Sequence, residues 1–118
     1  MEQIKLPHQH GNAKRAADLV RQFSDMEKFN NAADIFKKLG DANRIRIFLL
    51  LCSCEECVIN IAAILNMSSP AASHHLRSLK DNRLITSRRE GKEVYYKASD
   101  AEESLLLQKL LNTVLKNL

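Results

Sequence analysis

Residues 58–98 set the tightest limit on what this chain can become. Two short helical patterns, 58–65 and 70–81, stand four residues apart, and two strand-like runs follow at 84–89 and 93–98. Ser69-Pro70 is a helix-start signal: a serine can cap free backbone N–H groups, and a proline at the first helical position gives up no hydrogen bond. Glu90-Gly91-Lys92 separates the two runs, and Gly91 can supply the positive φ that a tight hairpin needs. A helix pair at this spacing is a helix-turn-helix, and a hairpin directly after it is a wing.

The rest of the chain supports that unit. A length of 118 residues, 45% hydrophobic with two Pro and three Gly, suits one compact helical domain and not a disordered chain. There is no Trp, so aliphatic residues must build the core. Residues 1–11 contain a Pro and a Gly and no apolar period, and are expected to be a mobile arm. From Asn12, Ala16, Leu19, Val20, Phe23, Met26 and Phe29 recur at helical spacing, which predicts a helix over 12–29. A second helix follows on Ala32, Ile35, Phe36 and Leu39. Gly40 stops it and Asp41 caps a third, which runs to about Leu51 and carries Ile45, Ile47, Phe48 and Leu49. Ser99 or Asp100 is expected to cap a last helix over 100–117. The expected fold is mainly α with a small β-hairpin (ααααα-ββ-α), residues 12–118 forming a single winged helix-turn-helix domain. No apolar run reaches the ~20 residues of a membrane span, and the N-terminus lacks the apolar run of a secretory signal. A cytoplasmic protein with no membrane partner is expected.

Charge points to a partner. Residues 68–98 hold seven Lys/Arg against three acids, while the remaining residues carry 11 of each and cancel. The whole excess of +4 therefore sits in one quarter of the chain, as expected of a surface that meets a polyanion such as duplex DNA. In the helix from Pro70, Ala72, Leu76 and Leu79 fall on one side, and His75 leans with them. Ser73, His74 and Arg77 share the opposite side, where short hydroxyls can reach base edges or phosphates and Arg77 can fork onto guanine or phosphate. Ser68 and Ser69 lie at the helix N-terminus, whose free N–H groups favour phosphate. Arg88, Arg89 and Lys92 surround the hairpin tip and read as phosphate or minor-groove contacts. The bland alternatives are a solvated helix face and a soluble hairpin.

The last helix carries eight apolar residues in the 14 positions 105–118, too many for one face of a small monomer. Pairing helices 12–29 and 100–117 across a two-fold axis would bury them. Such a homodimer would set two recognition helices one DNA turn apart on a palindromic operator. Cys52, Cys54 and Cys57 form C-x-C-x-x-C, and thiolates select thiophilic ions such as Zn, Cd, Pb, Cu(I) or As(III). On a regular helix Cys52 and Cys54 point about 200° apart, so a three-thiolate site needs the helix to end near Cys52. The same thiols could serve a redox or persulfide switch, or no sensing at all. An enzyme built on Cys57 and a histidine lacks an orienting acid and a glycine-rich loop. A helical interaction module with acidic partners is the other alternative.

LGDANRIRIFLLL (39–51) resembles the opening signature of the ArsR/SmtB repressors. Ile61-Ala62-Ala63-Ile64-Leu65, SSPAASHHLRSLKDNRLI and REGKEVYYKASD resemble their helix pair and wing. The resemblance implies a homodimeric winged helix-turn-helix repressor that leaves its operator on a metal, metalloid or redox signal, with Ser69, Ser73 and His74 at or near DNA. Members with a thiolate site carry C-x-C or C-x-C-x-x-C at the helix leading into the recognition helix. Cys57 matches the first of these cysteines, Ile59 stands at the second, and Asn60 stands where an Asp is usual. Some members add ligands from the N-terminal arm, a role open here to His8 and His10. The family's other site, between the last helices, is matched by Asp100 and Glu102 but not by Thr113 and Lys116, so Asp100 is read as a helix cap.

Overall fold

The structure is a computed structural model that describes residues 5–118. The order is α1 (Ala13–Phe23), α2 (Met26–Lys38), α3 (Ala42–Ser53), β1 (Glu56–Cys57), α4 (Val58–Leu65), α5 (Ser69–Asp81), β2 (Ile85–Glu90), β3 (Glu93–Ala98) and α6 (Glu102–Lys116). The chain divides into two compact units, one ending at Asp34 and the other running from Ile35 to Leu118.

In the first unit the helix expected over 12–29 is interrupted. Ser24 Oγ donates to Val20 O at 2.7 Å, and Asp25 accepts from Lys28 N at 3.4 Å, which starts α2. Side chains of Ser and Asp that bond the local backbone compete with helix continuation, and a hydrophobic period does not reveal that competition. The Phe23 and Phe29 rings meet edge to face across the break, with centroids 5.9 Å apart. Of the expected arm, residues 1–4 lie outside the described residues, and residues 5–12 hold neither helix nor strand.

The second unit is built around α3. Asp41 caps it as expected, its carboxylate accepting from Arg44 N at 3.0 Å. That bond holds the Asp41 carboxyl below its usual range. Ile47, Phe48 and Leu51 on α3, Ile61 on α4, Ala72, Leu76 and Leu79 on α5, and Leu84 with Ile85 at the start of the hairpin form one buried cluster.

The turn between α4 and α5 follows from its backbone. Asn66 takes the left-handed conformation (φ 55), and Met67 N bonds back to Ala62 O at 2.9 Å. This reverses the chain and satisfies carbonyls that the helix end leaves open. Arg46 adds to it by donating from Nη2 to Leu65 O at 2.7 Å. The α5 cap is Ser68, not Ser69: Ser68 Oγ accepts from Ala71 N at 3.2 Å, and Ser69 is the first helical residue. Proline is also tolerated one position further into the first turn, where a backbone N–H would have no intrahelical partner. At the other end, Arg83 N bonds Lys80 O and Leu84 N bonds Leu79 O, the same reversal with Arg83 at φ 60. Non-glycine residues seldom hold that conformation, and the buried Leu84 anchors it.

The sheet has three antiparallel strands in the order β1-β3-β2. The hairpin turns at Gly91, whose φ of 62 matches its expected role. Strand β1 was not expected; it sets Cys57 opposite Tyr95, which on its other side faces Arg88. The start of α6 also departs from expectation. Its N-cap is Ala101, and neither Ser99 nor Asp100 caps it. Ser99 is buried instead, with its Oγ 2.7 Å from Ser104 Oγ, and Ser104 Oγ donates to Leu84 O at 2.9 Å. The hydroxyls satisfy each other inside, which a capping pattern does not foresee.

Candidate nucleic-acid interface and cysteine turn

Helix α5 divides as its periodicity predicts. Ala72, Leu76 and Leu79 are buried, and Ser68, Ser69, Ser73, His74 and Arg77 are all exposed. Ser69, Ser73 and Arg77 lie one turn apart along one line, with His74 beside them. Arg77 has no ion-pair partner among the described residues. Lys80 Nζ donates to Ser87 Oγ at 2.7 Å, tying the end of α5 to β2.

The hairpin cations differ in state. Arg89 and Lys92 are exposed and carry no ion pair or side-chain hydrogen bond among the described residues. Arg88, expected as a third contact, is already engaged. Its Nη2 lies 2.7 Å from Glu55 Oε1, its Nε donates to Glu55 Oε2 at 3.0 Å, and its Nη1 lies 2.7 Å from Glu90 Oε2. The guanidinium also stands 4.9 Å from the centre of the Tyr95 ring. The bond from Arg88 holds the Glu55 carboxyl below its usual range. Sequence spacing shows Arg88 near a hairpin tip but not an acid 33 residues upstream.

The three cysteines sit in three different settings. Helix α3 runs through Cys52 and ends at Ser53, and Cys54 follows in extended backbone. Cys52 is half-buried, Cys54 exposed and Cys57 buried on β1. Burial pushes the Cys52 thiol up, away from the thiolate that a metal needs. Cys54 Sγ lies 3.5 Å from Leu50 O, the carbonyl of its own helix end. His8 and His10 stack on each other, with ring centroids 5.8 Å apart and planes within 7°. Among the described residues, no three His, Cys, Asp or Glu side chains are gathered to hold a metal ion.

The family model for "Bacterial regulatory protein, arsR family" matches residues 41–87, the helices and hairpin strand just described. A cadmium resistance transcriptional regulatory protein of Staphylococcus aureus is 39% identical over 92 residues, 75% of this chain and 76% of that protein. This chain belongs to the arsR family. An arsenical resistance operon repressor of the same organism is 33% identical over 82 residues, 70% of this chain and 79% of its own. Among solved structures, the winged helix-turn-helix DNA-binding domain of a possible ArsR-family regulator of Mycobacterium bovis, described as homodimeric, superposes with a TM-score of 0.70. It is 30% identical and covers 79% of this chain and 85% of that domain.

The arsR family is one of DNA-binding transcriptional regulators, not enzymes, and its winged helix-turn-helix is the architecture found here. No helix among the described residues is long and apolar enough to cross a membrane. The three thiols differ in burial, and burial of Cys52 favours its protonated form.

One residue of this arsR-family helix pair has a consequence for stability. His75 on α5 points inward and its Nδ1 is buried without a partner. Burial pushes its pKa below 6.5, against the opposing pull of Asp41. A lowered folded pKa means the unfolded chain takes the proton first, so His75 favours the fold above pH 6.5 and loses that contribution as the pH falls below it. Urea midpoints are expected to drop between pH 7.5 and 5.5, and less so in His75→Asn protein. Equal drops in the two proteins would rule His75 out. Asp41 acts only at lower pH, below its usual value of 3.8.

Proposed function

We propose that the chain is a cytoplasmic transcriptional repressor that binds a palindromic operator as a homodimer. The observation that carries this reading is the exposed row Ser69, Ser73, His74 and Arg77 on α5, beside a hairpin with exposed Arg89 and Lys92. Ser68 and Ser69 approach phosphate at the helix N-terminus, Ser73, His74 and Arg77 face the major groove, and Arg89 with Lys92 meets the flanking backbone. In this reading residues 12–118 are a single winged helix-turn-helix domain. The homodimer is supported by the Mycobacterium bovis neighbour and by exposed Leu106, Leu110 and Val114, spaced four residues apart on α6. Helix α1 contributes the second apolar face.

Fluorescence anisotropy with duplex DNA over a salt series tests the reading. Affinity is expected to fall steeply with salt. Arg77→Ala is expected to weaken operator binding by about 1–3 kcal/mol, roughly 5- to 150-fold, and to relax preference at one base pair. An Arg77→Ala protein that binds as tightly and selectively as wild type would remove α5 from the interface.

The names of the relatives, cadmium resistance and arsenical resistance regulators, support release by a thiophilic ion such as Zn, Cd, Pb, Cu(I) or As(III). Cysteine thiols are the ligands that such ions prefer. Because no three such ligands are gathered among the described residues, a site there requires them to rearrange or to be completed from elsewhere, with His8 and His10 as candidates. A panel of these ions, peroxide and polysulfide, added to the DNA complex of wild type and of Cys54→Ser/Cys57→Ser protein, separates ligation from redox control and from no sensing.

A further inference from the structure

We propose that Glu55 is a positioning residue for the wing: it clamps Arg88 and so fastens the hairpin to the cysteine turn, and Arg88 is not a phosphate contact. The proposal rests on reading the hairpin as a DNA-binding wing and adds what sets that wing's place.

Three observations carry it. The first is geometric. All three guanidinium nitrogens of Arg88 are committed to carboxylates, Nε and Nη2 to Glu55 and Nη1 to Glu90, at 2.7–3.1 Å. A phosphate could take the Nε/Nη2 fork of Arg88 only by displacing Glu55. The second is electrostatic. One arginine between two carboxylates carries a local charge of −1, so this cluster adds nothing to the attraction the hairpin exerts on DNA. Arg89 and Lys92 must supply it. The third is topological. Cys57, Tyr95 and Arg88 lie in register across β1, β3 and β2. Glu55 sits two residues before Cys57 and bonds Arg88, whose guanidinium packs on the Tyr95 ring. It makes the only side-chain hydrogen bonds between residues 52–57 and the hairpin among the described residues.

Both partners are partly exposed, with side chains 50% and 29% accessible. An isolated pair of that kind contributes little to global stability, whereas a bidentate fork within a network fixes orientation. The clamp therefore acts on where the hairpin sits, not on whether the protein folds. It also makes the 52–57 turn a place from which the wing can be moved, since a shift of β1 displaces Glu55 and Cys57 together.

Two measurements on the full chain test this. In hydrogen exchange without DNA, Glu55→Ala and Arg88→Ala are each expected to raise exchange across residues 85–98 several-fold and leave α5 unchanged. The exchanged pair Glu55→Arg/Arg88→Glu is expected to restore protection, which loss of a merely structural side chain would not allow. Hairpin exchange equal to wild type in Glu55→Ala protein overturns the clamp. In anisotropy over a salt series, Arg88→Ala is expected to keep the wild-type slope, and Glu55→Ala/Glu90→Ala to steepen it by ~0.9, the contribution of one freed cation reaching a phosphate. A slope that flattens by ~0.9 in Arg88→Ala protein makes Arg88 a phosphate contact and overturns the proposal. If Arg89→Ala and Lys92→Ala also leave the slope untouched, the wing does not meet DNA, and hydrogen exchange still decides the clamp.

Discussion

Leu110→Asp protein is expected to sediment as a monomer at micromolar concentration and to bind operator about 10²- to 10⁴-fold more weakly, the advantage of engaging two linked half-sites at once. Leu106, Leu110 and Val114 are 60%, 48% and 46% exposed on one side of α6, while Leu107 faces the chain's own core at 8%. A carboxylate at residue 110 would have to be buried unpaired in a dimer, which is far more unfavourable than leaving it in water. In the monomer the same carboxylate stays solvated, so the fold should persist with unchanged helical circular dichroism. Sedimentation velocity and anisotropy read the two consequences separately. A Leu110→Asp dimer with full operator affinity would show that α6 is not the interface.

Phe48→Ala is expected to destabilise the fold by about 3–5 kcal/mol, the range for emptying a well-packed aromatic site. Phe48 is fully buried and heads the largest enclosed side chains. Its helix touches α4, α5, α6 and β3, so a cavity there loosens the support of the recognition helix as well as the core. Set against a total of roughly 5–15 kcal/mol for a domain of this kind, the loss leaves a marginal protein. Urea unfolding at fixed protein concentration measures it. A loss under about 1 kcal/mol would mean that the site collapses around the smaller side chain, which dense packing makes hard. The two substitutions are opposites: one removes assembly and keeps the fold, the other weakens the fold beneath the site.

Much of this was legible beforehand because it depends on short-range rules. The α4–α5 spacing, the Asp41 cap, the hairpin turn at Gly91 and the inward face of α5 each follow from residues within a few positions of one another. The misses share the opposite property. Ser24 and Asp25 cut a continuous apolar period by bonding the backbone, and Ser68 displaced Ser69 as cap by one position. Strand β1 is two residues long and carries no periodic signal at all. It exists because β3 offers it an open edge.

From its residues alone, this chain declared a winged helix-turn-helix with a cationic quarter and an apolar last helix, since helix periods, turn residues and net charge are local quantities. Only the tertiary structure decided which charges are free. Arg88 and Arg89 are adjacent and identical in sequence, yet one is locked to Glu55 across 33 residues and the other faces solvent. The tertiary structure likewise set the three thiols in three different environments. A side chain's partners depend on which strand edges and helix ends the fold brings within about 3 Å, and spacing along the chain carries no record of that.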